Sequence, residues 1–169
     1  MLDEIPMVIV NSACIYMLIE WRSKRHYPYL PHVITALTSL VLLMYMFCDQ
    51  YGFFITTFVL QSAFITISSF KVANQLRKGD QSKRLCSALF TASYLMYFSG
   101  IILWLMDIIL CPYVQSFHLH SFWHLLSGAA TFIWLQFQIG VRGVNTGHRI
   151  AISHLILPIV AYQDNIKGK

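Results

Sequence analysis

Two histidines four residues apart, His120 and His124, stand in the segment SFHLHSFWHLLSG. On a helix, residues at i and i+4 share a face one turn apart. Two imidazoles so placed can bind one Zn²⁺, each at about 2.0–2.1 Å. His118 is two residues before His120, so on a continuous helix it points elsewhere. A second reading stays open: the rings could sit in a headgroup layer, with Trp123 in an interfacial aromatic belt. Asp3 and Asp107 are the acids with a claim on the same chemistry. Asp3 suits the first turn of a helix, as Pro6 does. Asp107 could orient a histidine by accepting its second N–H, or could end a helix in water.

The chain that must position these groups is apolar. Of its 169 residues, 57% are hydrophobic and 11% charged. A soluble domain carries about 25% charged residues. So much apolar surface cannot hide in a core this small, and lipid must cover the excess. An ordinary soluble globule, a disordered chain and a coiled coil are excluded. No basic cluster interleaves with aromatics in a polar context, so nucleic acid is not the expected partner.

A span needs about 20 mainly apolar residues, and spans in lipid are helical because the backbone must satisfy itself. Five stretches are expected to cross: about Ile5–Ile19, Pro31–Phe47, Tyr51–Phe70, Leu85–Leu110 and Leu119–Gly140. The fold class is thus an all-α integral membrane bundle forming a single membrane domain. Residues Ile150–Tyr162, thirteen in number and containing Pro158, are too short to cross and are expected to be interfacial or re-entrant. The polar run NQLRKGDQSKRL is expected to be a solvated loop. The first residues lack the basic start of a signal peptide, so the first apolar segment is expected to be a span.

Charge placement orients the bundle. Arg22, Lys24 and Arg25 follow the first span, and Lys71, Arg77, Lys78, Lys83 and Arg84 follow the third. Arg142, Arg149, Lys167 and Lys169 lie in the tail, which completes all 12 basic residues. The other side receives Asp3, Glu4, Asp49 and Asp107. The N-terminus is therefore expected on the lumenal side and the C-terminus in the cytosol. Asp3, Asp107, His120 and His124 then share one membrane face. His26, His32, His148 and His154 fall on the other, across about 30 Å of hydrocarbon. A catalytic zinc usually has three protein ligands and a water. The chain offers two, with His118 or an acid as third. Cys14, Cys48, Cys86 and Cys111 form no CxxC pair. Cys14 and Cys86 read as small apolar helix residues, and Cys48 and Cys111 fall near span ends where they could pair.

LDEIPMVIVNSACIYMLIE, the LWLMD segment and FHLHSFWHLLSGAATFIWLQF together resemble the alkaline ceramidases, which are seven-helix zinc amidases of the secretory membranes. The family's LDExPM acid falls on Asp3, its W-x-x-D on Trp104 and Asp107, and its HxxxWH-like spacing on His120 and His124. The resemblance implies that five spans here match the last five of the seven. It also implies that another zinc-binding His, a Ser that holds the oxyanion and an acidic Ca²⁺ site belong to a portion without counterpart in this chain. The implied activity is zinc-dependent hydrolysis of ceramide, a membrane lipid, to a sphingoid base and a fatty acid, in endoplasmic reticulum or Golgi. His120 and His124 would be metal ligands and Asp3 the proton carrier. Phe122, Leu125 and Leu126 would pack or line an acyl slot, with packing the simpler reading. Two alternatives are a receptor-like protein with a structural zinc site and a non-catalytic helix-bundle partner.

Overall fold

The computed structural model describes residues 4–21, 27–48, 51–154 and 156–163. Asp3, Arg22, Lys24, Arg25, His26, Asp49, Lys167 and Lys169 lie outside the described residues. The elements are α1 (Glu4–Ile19), α2 (Leu30–Cys48), α3 (Tyr51–Arg77), α4 (Gln81–Ile109), α5 (Cys111–Val114), a 3₁₀ turn (Gln115–Phe117), α6 (Leu119–Asn145), β1 (Arg149–His154) and β2 (Pro158–Gln163). The architecture is that of a helical membrane protein. Three helices are long and apolar enough to cross a bilayer among the described residues, within Leu30–Phe47, Gly52–Arg77 and Gln81–Ile109. Helix α1 is as apolar but has 16 residues. Helix α6 has 27 residues and carries His120, His124, Gln136, Gln138 and Arg142.

The chain forms two compact units, Met1–Val72 and Ala73–Lys169. In the first, Val8, Tyr45 and Phe54 make a buried cluster with Met7, Val41, Leu42 and Phe58 around it. The Tyr45 and Phe54 rings lie 5.7 Å apart. Apolar side chains gain little by meeting each other in lipid, so polar bonds matter more for helix association. Ser12 on α1 is the centre of such a set. It accepts from the Thr38 hydroxyl at 2.8 Å and from Gln61 Nε2 at 3.1 Å. Asn11 Nδ2 donates to Ser62 Oγ at 3.3 Å. At the two ends of α1, Tyr27 N–H donates to Glu20 Oε1 at 2.9 Å, and the Tyr45 hydroxyl donates to Glu4 Oε2.

The second unit is built on an antiparallel pair, α4 and α6. Small residues let the two backbones approach. Ser93 Oγ donates to the Ala130 carbonyl at 2.9 Å, and a Cβ on Gly140 would stand 3.0 Å from Cys86 Sγ. Phe90 meets Phe137 at 5.5 Å between rings, and Phe137 and Cys86 are fully buried. Cys14 and Cys86 are buried thiols as expected, and Cys111 is a free thiol on the surface. The side chain of Cys48 lies outside the described residues. The start of α4, the end of α6 and the start of β1 share one end of the pair, so Lys83, Arg84, Arg142 and Arg149 gather there. Asp107, His118, His120 and His124 stand toward the other.

Two expectations are corrected. The polar run is mostly helix: α3 continues to Arg77 and α4 starts at Gln81, leaving residues 78–80 as the turn. Asp80 caps α4 by accepting from Lys83 N–H at 3.1 Å. Apolarity marks where lipid ends, whereas a capped helix continues into water. The tail segment Ile150–Tyr162, expected to be interfacial or re-entrant, is built as an antiparallel hairpin pairing Ile150 with Tyr162 and Ile152 with Val160. Alternation explains it: Ile150, Ile152, Val160 and Tyr162 fall on one face, and β-branched residues suit a strand. Pro158 sits at a strand's first position, where a missing N–H is tolerated. A lone hairpin is marginal in water, and this one is docked. Val160 N–H donates to Gln136 Oε1 at 2.9 Å, Ile150 N–H to Ser82 Oγ at 3.3 Å, and the Tyr162 hydroxyl to the Ile139 carbonyl at 3.1 Å.

A Cβ on Gly143 would stand 2.1 Å from Tyr162 Cε1. Gly143→Val is therefore expected to expel the Tyr162 ring and loosen the hairpin, so that limited proteolysis cuts the tail faster while α6 stays protected. An unchanged cleavage rate would show that the docking does not depend on this contact.

Candidate metal centre

The chain leaves α4 at Leu110, whose N–H bonds to the Met106 carbonyl at 2.8 Å. It then makes the short α5 and the 3₁₀ turn before reversing into α6. The reversal falls on His118, which has φ 49° and ψ 43° and flanks the first residue of α6. This left-handed conformation costs a non-glycine residue about 1–2 kcal/mol, although histidine visits it more often than most. His118 thus stands outside the helical stretch that carries His120 and His124.

That face brings the pair together. The His120 and His124 rings are 4.7 Å apart between centroids and nearly perpendicular, at 76°. Their Nε2 atoms stand 3.0 Å apart, a hydrogen bond in which one ring donates to the other. Two nitrogens on one tetrahedral zinc at about 2.0–2.1 Å each would be about 3.3 Å apart. The pair therefore fits a common metal ion with a shift of a few tenths of an ångström. His120 is exposed and His124 partly so, which leaves an approach for an ion. Among the described residues no third His, Cys, Asp or Glu joins them, so neither His118 nor Asp107 completes a three-ligand set.

The helix that carries the pair is locked by its neighbour Trp123. This ring is 4% exposed, packed 5.7 Å from Tyr97 and 6.2 Å from Trp104 between centroids. It is a packing residue, not part of an interfacial belt. Opposite it, a Cβ on Gly100 would stand 3.0 Å from Trp123 Cε3 and 3.3 Å from Leu126 Cβ. Tyr97, Gly100 and Trp104 are spaced at three and four residues, so they form one face of α4. That periodicity is the sequence signal for Tyr97 and Gly100, and it passes unnoticed when only ionisable residues are followed. Leu126 packs inward, whereas Phe122 and Leu125 face outward, where lipid would meet them. Asp107 is half-buried, one turn beyond Trp104 on α4. The expected proton carrier, Asp3, lies outside the described residues, one position before the start of α1.

With this geometry in view, similarity to known proteins gives the pair its context. The ceramidase family model matches residues 1–160 of the chain. The chain belongs to the ceramidase family. A similar protein is the one from Dictyostelium discoideum named "Putative alkaline ceramidase dcd3A", at 21% identity over 154 residues. The alignment covers 81% of this chain and 54% of that relative, so the ceramidase-family chain spans about half the length of the curated relative it matches. The family match embraces Asp3, Asp107, His120 and His124 together.

Two substitutions test the local geometry. Gly100→Leu overfills the contact with Trp123 and is expected to destabilise the protein by about 1–3 kcal/mol, read as a lower melting temperature. An unaltered melting temperature would mean that α4 and α6 are not in close contact there. His118→Gly relieves the left-handed residue and is expected to raise stability by up to about 1 kcal/mol without changing zinc uptake. Loss of zinc in that variant would make His118 a ligand.

Proposed function

We propose that this chain carries the metal-holding and proton-transfer groups of a zinc-dependent ceramide amidohydrolase. The observation that supports this most directly is the 3.0 Å approach of the His120 and His124 Nε2 atoms in a chain of the ceramidase family. His120 and His124 would hold the ion through Nε2 as neutral imidazoles. A bound zinc would lower the pKa of a coordinated water and polarise the scissile carbonyl. Asp3 would take the proton from the attacking water and return it to the leaving amine. Asp107 would orient an imidazole by accepting its other N–H, as carboxylates near metal-bound histidines do. The products would be a sphingoid base and a fatty acid.

Location favours such a substrate. Ceramide does not leave the bilayer, and the helix bearing the pair presents Phe122 and Leu125 outward beside it. The gathering of Lys83, Arg84, Arg142 and Arg149 at the opposite end of the α4–α6 pair supports a lumenal position for the histidines by the positive-inside rule. We assign the protein to a multi-pass place in the endoplasmic reticulum or Golgi membrane, with the N-terminus lumenal and the tail cytosolic.

The test is turnover of a short-chain ceramide by purified protein, with metal content measured on the same samples. His120→Ala and His124→Ala are each expected to abolish zinc-dependent release of sphingosine. Asp3→Asn is expected to lower turnover by about 10²-fold or more while zinc stays bound, the loss typical of a general base. Full turnover in either histidine variant would remove the pair from the reaction, and loss of zinc in Asp3→Asn would make Asp3 a ligand instead.

A further inference from the structure

The proton carrier assigned to Asp3 is useful only if its backbone is held still. A helix start is poorly suited to that task. Its first four N–H groups have no partner within the helix. A reacting group displaced by about 1 Å can cost about 10²-fold in rate. The first turn of α1 carries a tie of this kind. Glu4, the residue after Asp3, accepts a hydrogen bond at Oε2 from the Tyr45 hydroxyl, 41 positions away on α2.

The donor is itself fixed. Tyr45 is 5% exposed, between Val8 at 2% and Phe54 at 6%. Val8 is one turn after Glu4 on α1, so the ring packs against the turn that its hydroxyl holds. Tyrosine loses little rotamer freedom on burial, and its hydroxyl goes where the packed ring directs it. Pro6 adds a fixed φ in the same turn.

We infer that Tyr45 is a positioning residue for the proton-transfer step, acting through Glu4 to hold the first turn of α1, which follows Asp3 directly in the chain. This rests on the reading of Asp3 given above. Tyr45 touches no reacting atom in this account, and Glu4 serves as an acceptor rather than as a base.

The experiment compares Tyr45→Phe, Glu4→Ala, Glu4→Gln and the Tyr45→Phe/Glu4→Ala pair with the unaltered chain. Tyr45→Phe keeps the packed ring and deletes only the hydroxyl. Tyr45→Phe and Glu4→Ala are each expected to lower kcat about tenfold with KM and zinc content unchanged. The double variant is expected to be no worse than the more damaging single one, because both remove one bond. Glu4→Gln keeps an acceptor oxygen at the same reach and is expected to retain most of the turnover. Hydrogen exchange gives a second readout that needs no activity. The amides of Val8, Ile9 and Val10, which bond back to the first turn, are expected to exchange faster in Tyr45→Phe, with Val141 in α6 unaffected. Unaltered kcat and exchange in Tyr45→Phe would overturn the inference. So would additive losses in the double variant, or a fall in kcat accompanied by a raised KM and a lower melting temperature. If Asp3→Asn keeps full turnover, the role given to Asp3 fails, and the exchange rates alone decide whether Tyr45 holds the turn.

Discussion

The close approach of α4 and α6 is the constraint from which the candidate site follows. Lipid removes the usual hydrophobic drive for helices to meet, so association depends on tight contact and buried hydrogen bonds. Gly100, Ser93, Cys86 and Gly140 supply the room, and the Ser93 bond to the Ala130 carbonyl supplies a polar link. Trp123 then fills the space opposite Gly100, wedged with Tyr97 and Trp104. Because Trp123 precedes His124 directly, the rotation of α6 is set by a large buried ring. The histidine pair inherits that rotation, and its Nε2 atoms stand 3.0 Å apart.

The same pair explains the fate of the tail. Gly140 and Gly143 leave a smooth strip on α6, and the hairpin lays Ile150, Val160 and Tyr162 on it. Gln136, a buried amide within α6, finds its partner in the Val160 N–H. A polar side chain that looks misplaced on an apolar helix is thus the docking point for a strand. Close packing at one end of the helix pair serves the hairpin, and at the other end it serves the histidines.

Much of this was legible in the residues. Apolar runs marked α1, α2, α3, α4 and α6 as helices, since lipid leaves the backbone no alternative to helix. The i, i+4 spacing of His120 and His124 gave the pair, because helical geometry alone brings them together. What composition hid was phase and length. Hydropathy counts the residues that lipid will cover, so it stopped short of Arg77 and began after Gln81. The tail was judged on its length, and the alternation of Ile150 with Ile152 and of Val160 with Tyr162 carried the strand signal. Trp123 was read by residue type, whereas its burial depends on Gly100, a partner 23 positions away in the chain. His118 was legible as lying off the shared face from its place two residues before His120, and α6 starts only after it.

The proposed chemistry requires the two imidazoles to grip one metal ion. X-ray absorption at the zinc edge, on purified protein loaded with Zn²⁺, tests that most directly. The predicted spectrum has two imidazole nitrogens in the first shell at about 2.0–2.1 Å, and one fewer in His120→Ala or His124→Ala. Bound zinc whose spectrum lacks imidazole scattering, or keeps both imidazole nitrogens in either variant, would contradict it.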